Sequence, residues 1–167
     1  MVAGVVLAAG AATRYGAPKQ RVFLPRVLER VRAAGLEEIV VVAGAYDLEA
    51  DGSARVVPCP DWERGPGASL RCGLRALGDD ATHAVVVLAD GPDLDPRAVA
   101  RVLEHREDAA VVAASYGGVR GHPVCLARAA WDDVPDEGGR ALDALLVPCD
   151  DLDPPGDVDY PEQRRAP

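Results

Sequence analysis

Residues 2–10 read VAGVVLAAG, and residues 11–20 continue AATRYGAPKQ. The first run is apolar almost throughout and shows no polar alternation. That is the pattern of a strand buried on both faces, and such strands belong to parallel sheets covered by helices. The spacing predicts a strand over 2–8. At Gly10 the apolar run stops, and the chain enters a loop that holds Gly10, Gly16, Arg14 and Lys19. Glycines let a loop turn several N–H groups toward one anion or base edge, and the two cations add fixed positive charge. The residues alone equally describe a glycine turn with two surface cations. Neither GxxxxGK[ST] nor GxGxxG occurs here, which excludes a Walker loop and a dinucleotide fingerprint.

Outward from this stretch, strand and helix patterns alternate. A helix is predicted over 25–34, with Val27, Leu28, Val31 and Ala34 on one face, Pro25 in its first turn and Gly35 as its stop. Strands follow at EEIVVVAG (37–44) and ARVVPCP (54–60). GASLRCGLRAL (67–77) reads as a helix with Leu70, Leu74 and Leu77 inward and Arg71 and Arg75 outward. HAVVVLAD (83–90) is another continuous apolar strand. DPRAVARVLEH (95–105) opens a helix with Asp95 as N-cap and Pro96 at the first helical position. AAVVAAS (109–115) is a strand, and YGGVRGHPVCL (116–126) a glycine turn with a returning strand. Two short helical pieces are predicted near 127–133 and 139–145, before a tail rich in acid and proline. This order implies an α/β fold: a three-layer, Rossmann-like, mostly parallel sheet with helices on both faces, in a single domain over 1–167.

Composition agrees with that reading. Of 167 residues, 49% are hydrophobic and only 4% aromatic, so the core is aliphatic. The net charge of −9 lacks the basic face of a nucleic-acid binder, but a few placed cations still suffice for a nucleotide ligand. Cys59, Cys72, Cys125 and Cys149 are far apart and form no CxxC, which reads as four reduced cytosolic thiols and no zinc site. No charged n-region precedes the first apolar run, and no run reaches the ~18 residues of a membrane span, so a cytoplasmic protein is expected.

In parallel sheets of this kind ligands bind beyond the carboxyl ends of the strands. Asp90 stands there, at the end of a buried strand, where a carboxylate is costly without a task or a partner. It is placed to offer oxygen to Mg²⁺, which takes one or two protein carboxylates and completes its shell with phosphate and water. It is placed equally well to cap its own turn. Asp93 and Asp95 are assigned to turn and cap. Ser69, at a helix start, faces either a ligand or only its own helix.

The resemblance to a known family narrows these alternatives. Leu7, Ala8, Ala9 and Gly10, then Arg14, Gly16, Pro18 and Lys19, resemble the LAAGxSxRxGxxK signature of the MobA-like nucleotidyltransferases. Within that superfamily the likeness is to the molybdenum cofactor cytidylyltransferases. It implies the nucleotide-diphospho-sugar transferase fold, a nucleobase against the backbone of Ala8, Ala9 and Gly10 beside Leu7, and Arg14 and Lys19 on the β- and γ-phosphates. The common Ser falls on Ala12. Ala9 stands where GTP-using relatives have Gly, and this leans toward CTP. ADGPDL resembles the family's GDQP or GDMP segment, which makes Asp90 a ligand of Mg²⁺. DVDYPEQ resembles DIDTPED, which makes Asp159 a second one. PDWERGPGASLRCGL resembles NPDWEEGMSSSLRAGL and gives Ser69 a base or ribose contact, while Trp62 fits equally well as cover for the core edge. GHPVCL resembles GHPVLF, which sets His122 and Pro123 at the acceptor pocket. DEGGRAL is similar to GDxGAR, so Arg140 meets an acceptor phosphate.

The likeness runs from Gly4 to Glu162, and besides Ala12 and Gly91, which replaces the usual Gln or Met, one departure matters: after Lys19 the chain is several residues shorter than the family's LLLPLGGRPLLEHVL. What the resemblance implies is transfer of CMP from CTP to a phosphate-bearing acceptor, molybdopterin, with release of pyrophosphate, and a molybdoenzyme or chaperone as partner. Arg14, Lys19 and Asp90 are then the catalytic residues. The alternatives are a guanylyltransferase using GTP, a sugar-phosphate or methylerythritol phosphate cytidylyltransferase (APKQ resembles the latter), and a non-catalytic nucleotide- or cofactor-binding relative.

Overall fold

The opening apolar run forms β1 (Val2–Ala8). The structure, a computed structural model, describes residues 1–10 and 19–156, with Lys19 described by its backbone alone. The strands that follow are β2 (Ile39–Ala43), β3 (Arg55–Pro58), β4 (His83–Leu88), β5 (Val111–Tyr116), β6 (Val119–Ala127) and β7 (Leu145–Pro148). Three helices, α1 (Lys19–Ala33), α2 (Pro66–Arg75) and α3 (Pro96–Glu104), cover the sheet. Short 3₁₀ turns sit at Trp62–Arg64, Arg128–Asp133 and Gly139–Ala141.

The sheet order is β3-β2-β1-β4-β6-β5-β7. Among the described strands β6 alone runs against the others, antiparallel to both β4 and β5. Period-two alternation divides β1 between two cores. Ala3 and Val5 face the layer that holds Leu70 and Leu74 of α2. Val6 and Ala8 face the opposite layer, with Leu24, Val27, Leu28 and Val31 of α1 and Val99 of α3. A smaller third cluster packs Ala98 and Val102 of α3 on Val112 and Ala114 of β5. Helices therefore lie on both faces, as the alternation predicts.

Several local expectations hold. Asp95 caps α3 by accepting from the Arg97 N–H at 2.9 Å, with Pro96 first in the helix. Gly117 and Gly118 form the turn before β6 with φ of 59° and 80°, a conformation that side chains with a Cβ resist. Others need correction. α1 starts at Lys19, and Pro25 lies inside it rather than in its first turn. The reason is packing. Phe23 and Leu24 are buried ahead of the proline on the stripe that continues through Val27 and Leu28, and that burial outweighs the lost helix bond. The second helical piece ends at Ala141, and the apolar residues beyond it pair in parallel with β5 as β7. Four residues are too few for periodicity to separate strand from helix.

The cysteines need the largest correction. Cys59, just after β3, is disulfide-bonded to Cys72 in α2, their Cα atoms 5.9 Å apart. Thirteen residues of separation carry no signal of proximity, and only the return of the chain from β3 to α2 brings the two together. Cys125 and Cys149 are free and buried, and burial pushes the Cys125 thiol up to about 12. No helix among the described residues is long and apolar enough to cross a membrane.

Candidate active site

From β1 the chain moves outward to β2 and β3 on one side, then returns to place β4 on the other. The carboxyl ends of β1 and β4 are thus neighbours at a point where the winding reverses, which is where open α/β sheets bind ligands. Leu7 pairs with Leu88, and the Ala89 N–H donates to the Leu7 carbonyl at 3.0 Å. The turn at residues 8–10 and the turn at Asp90 therefore leave the sheet side by side. Ala8 and Ala9 are buried and Gly10 is exposed. Two carbonyls of this turn are committed: Ala9 accepts from the Ala45 N–H at 3.1 Å, and Gly10 accepts from Gln20 Nε2 at 2.5 Å.

Asp90 is half-buried in a turn closed by the Gly91 N–H on the Leu88 carbonyl at 3.2 Å. Asp93 takes up turn duty. Its N–H donates to the Pro155 carbonyl at 2.9 Å, and its carboxylate lies 3.6 Å from Arg26. A Cβ on Gly91 would stand 3.1 Å from Pro155 and 3.3 Å from the Gly156 carbonyl. The last described residues thus run directly past the Asp90 turn.

Beside these strand ends opens a cavity of about 360 Å³. Its floor is aliphatic, from Leu7, Leu70, Val86, Leu88, Val124 and Leu126, and its rim carries Arg120, His122, Glu137 and Arg140. Leu7, His122 and Arg140, singled out separately in the sequence, meet here. Pro123 is buried next to His122 after a cis peptide bond, and Ser69 is buried in α2 beside Leu70; neither lines the cavity. The His122 carbonyl accepts from the Tyr116 hydroxyl at 2.7 Å. Arg14, the side chain of Lys19 and Asp159 lie outside the described residues.

Three residues here escaped the sequence reading. Gln20 is 5% exposed, and its Oε1 has no donor among the described residues. Its signal was available: the apolar stripe of Leu24, Leu28 and Val31, carried back one turn, lands on this one polar residue. Arg120 donates to the Leu142 carbonyl at 2.7 Å and the Gly139 carbonyl at 3.0 Å, which ties β6 to the rim. Burial, and after it the charge of Arg140, lowers its pKa below the usual guanidinium value. Arg71 was expected to point outward. It is half-buried instead and donates to the Val134 carbonyl at 2.7 Å, because residues 134–136 cover that face of α2.

The donor set suits a hard divalent cation. Asp90 offers carboxylate oxygen at a strand end beside the turn at residues 8–10, and no group of three His, Cys, Asp or Glu residues forms an all-protein cage among the described residues.

A family model described as the MobA-like NTP transferase domain matches residues 4–149. None of the curated proteins compared matches the chain. Among solved structures, Rv0371c from Mycobacterium tuberculosis H37Rv is 27% identical, covers 95% of this chain and 92% of its own, and superimposes with a TM-score of 0.82. A structure of Rv0371c in complex with manganese aligns at 24% identity over 88% of this chain and 87% of its own, TM-score 0.72. A nucleotidyl transferase from Methanothermobacter shares the fold at 23% identity, covering 83% of this chain and 78% of its own, TM-score 0.69. With the family model spanning most of its length, this chain belongs to the MobA-like NTP transferase family and is a nucleotidyltransferase.

Proposed function

We propose that the protein transfers CMP from CTP to the phosphate of molybdopterin and releases pyrophosphate. One observation carries the reading: the turn at residues 8–10 and the turn of Asp90 leave adjacent strand ends, beside a cavity with an aliphatic floor and a rim of two arginines, a histidine and a glutamate. The base lies on the turn and the triphosphate runs toward Asp90. The acceptor occupies the cavity, with its ring system on Leu7, Leu70 and Val124 and its phosphate toward Arg140 and His122.

The acceptor phosphate oxygen attacks the α-phosphorus in line. A new P–O–P linkage forms, the bond to the bridging oxygen of the β-phosphate breaks, and pyrophosphate leaves with the electron pair. Arg14 and Lys19 hold the β- and γ-phosphates and balance the charge that grows on the leaving group. His122 and Arg140 orient the acceptor, and Ser69 steadies the base or ribose. The acceptor phosphate is already ionised, so no general base is needed. Asp90 holds a divalent cation, Mg²⁺, whose contribution when bound is charge neutralisation across the phosphates. Asp159 is the second carboxylate. The run of Pro155 and Gly156 past Gly91 supports this reading.

The test is calorimetric binding of CTP, GTP, ATP and UTP with Mg²⁺ to the wild type and to Asp90→Ala, followed by pyrophosphate release with molybdopterin. The expected result is CTP selectivity, with affinity at least about tenfold weaker in Asp90→Ala. GTP selectivity would overturn the cytidylyl assignment. Binding without pyrophosphate release would favour the non-catalytic relative.

A further inference from the structure

Residues 137–140 line the outer side of the cavity, with Glu137 and Arg140 on its rim, and belong to a wall segment that runs from 134 to 142. This wall has little regular structure of its own. It is gripped at both ends by arginines from other elements. At the far end Arg120 of β6 holds the Gly139 and Leu142 carbonyls. At the near end Arg71 of α2 donates one guanidinium nitrogen to the Val134 carbonyl at 2.7 Å and another to the Asp136 carboxylate. Arg64 approaches the same carboxylate at 3.3 Å. The α2 backbone joins the grip, since the Gly67 N–H donates to the Asp136 carbonyl at 3.0 Å.

Arg71 does not line the cavity. It sits behind the wall, in a polar recess shared with Arg64 and Asp136. We propose that Arg71 is a positioning residue for the acceptor: by fixing Val134 and Asp136 it sets where Arg140 stands over the cavity, without touching either substrate. The assignment rests on the acceptor reading of that cavity. Its physical basis is geometric. A planar fork that binds a carbonyl and a carboxylate at once fixes both the position and the direction of the strand of wall it holds. Arg140 follows four residues after Asp136, and between them the Gly138 N–H donates to the Pro135 carbonyl at 3.0 Å while the Gly138 carbonyl accepts from the Ala141 N–H at 3.2 Å, which links the anchored stretch to the rim. α2 also carries Ser69, so the helix that borders the nucleotide holds the wall that presents the acceptor.

The test uses the full-length protein and the variants Arg71→Ala, Arg71→Lys and Asp136→Asn. Hydrogen exchange is followed in peptides spanning 134–142, and KM is measured separately for CTP and molybdopterin. In Arg71→Ala, exchange in the wall accelerates about tenfold or more and KM for molybdopterin rises about tenfold, the scale of one charge-assisted hydrogen bond, while KM for CTP stays within about twofold. Arg71→Lys keeps the charge and loses the fork, and falls between the two. Asp136→Asn removes the charge of the wall's carboxylate and so weakens the contact from the wall's side, and it carries the test if Arg71→Ala does not fold. Unchanged exchange in the wall, or equal rises in both KM values, would overturn the proposal. If the wild type shows no turnover with molybdopterin, the acceptor reading fails, and the exchange measurement still decides whether Arg71 holds the wall.

Discussion

Gln20 and Arg71 are both polar residues on helices that bury their neighbours, and both bind backbone carbonyls that shape the site. Asp151 shows the same economy at the surface. Arg101 of α3 binds it through both guanidinium nitrogens and so ties the helix to the segment after β7. That pairing holds the Asp151 carboxyl down at about 2. A depressed folded-state value adds stability at and above the ordinary carboxylate range and loses it as pH falls toward 2. In acid titrations followed by circular dichroism, the wild type should therefore be more stable than Arg101→Met at neutral pH. The gap should close as pH falls toward 2 and shrink in high salt, because both side chains meet solvent. Equal curves at all pH values would show that the pair contributes nothing.

At the scale of elements, α2 is set by two close approaches. A Cβ on Gly73 would stand 2.6 Å from a Val5 methyl and 2.8 Å from a Val42 methyl, so the helix lies tight on the sheet. A Cβ on Gly67 would stand 1.6 Å from the Pro135 carbonyl oxygen, which leaves no room for any side chain between helix and wall. Gly67→Ala must therefore displace residues 134–136, at a cost of about 1–3 kcal/mol for forced overpacking. Urea denaturation measures that loss, and the displaced wall should weaken acceptor binding more than CTP binding. The leucine spacing makes α2 legible in the sequence as a helix. It does not show that Gly67 and Arg71 face another segment, because that segment lies more than sixty residues further on. α1 teaches the converse. Pro25 is a sound local signal for a helix start, and the burial of Phe23 and Leu24 overrides it.

At the scale of the molecule, a chain of net charge −9 gathers Arg120, Arg140, His122 and Glu137 around one aliphatic cavity at the point where the sheet reverses its winding. The disulfide between Cys59 and Cys72 closes one flank of that arrangement. Cross-linking across thirteen residues restricts the unfolded chain, an effect of about 3 kcal/mol in the chain-entropy account. Reductant should lower the thermal midpoint, and the double variant Cys59→Ser, Cys72→Ser should match the reduced wild type and ignore reductant. Signals that act within a few residues were decided by the sequence itself: the apolar runs of β1 and β4, the Asp95 cap, the glycine turn before β6 and the stripe of α2. Their physics depends only on side chains one or two turns apart. The sequence also supplied Leu7, His122 and Arg140 as separate candidates. Their meeting in one cavity, the pairing of Leu7 with Leu88, the disulfide, the inward reach of Arg71 and the addition of β7 to the sheet were decided by tertiary structure alone. Each is a distance between segments far apart in the chain, fixed by strand register and by the packing of helices on the sheet, and no local pattern of residues encodes such a distance.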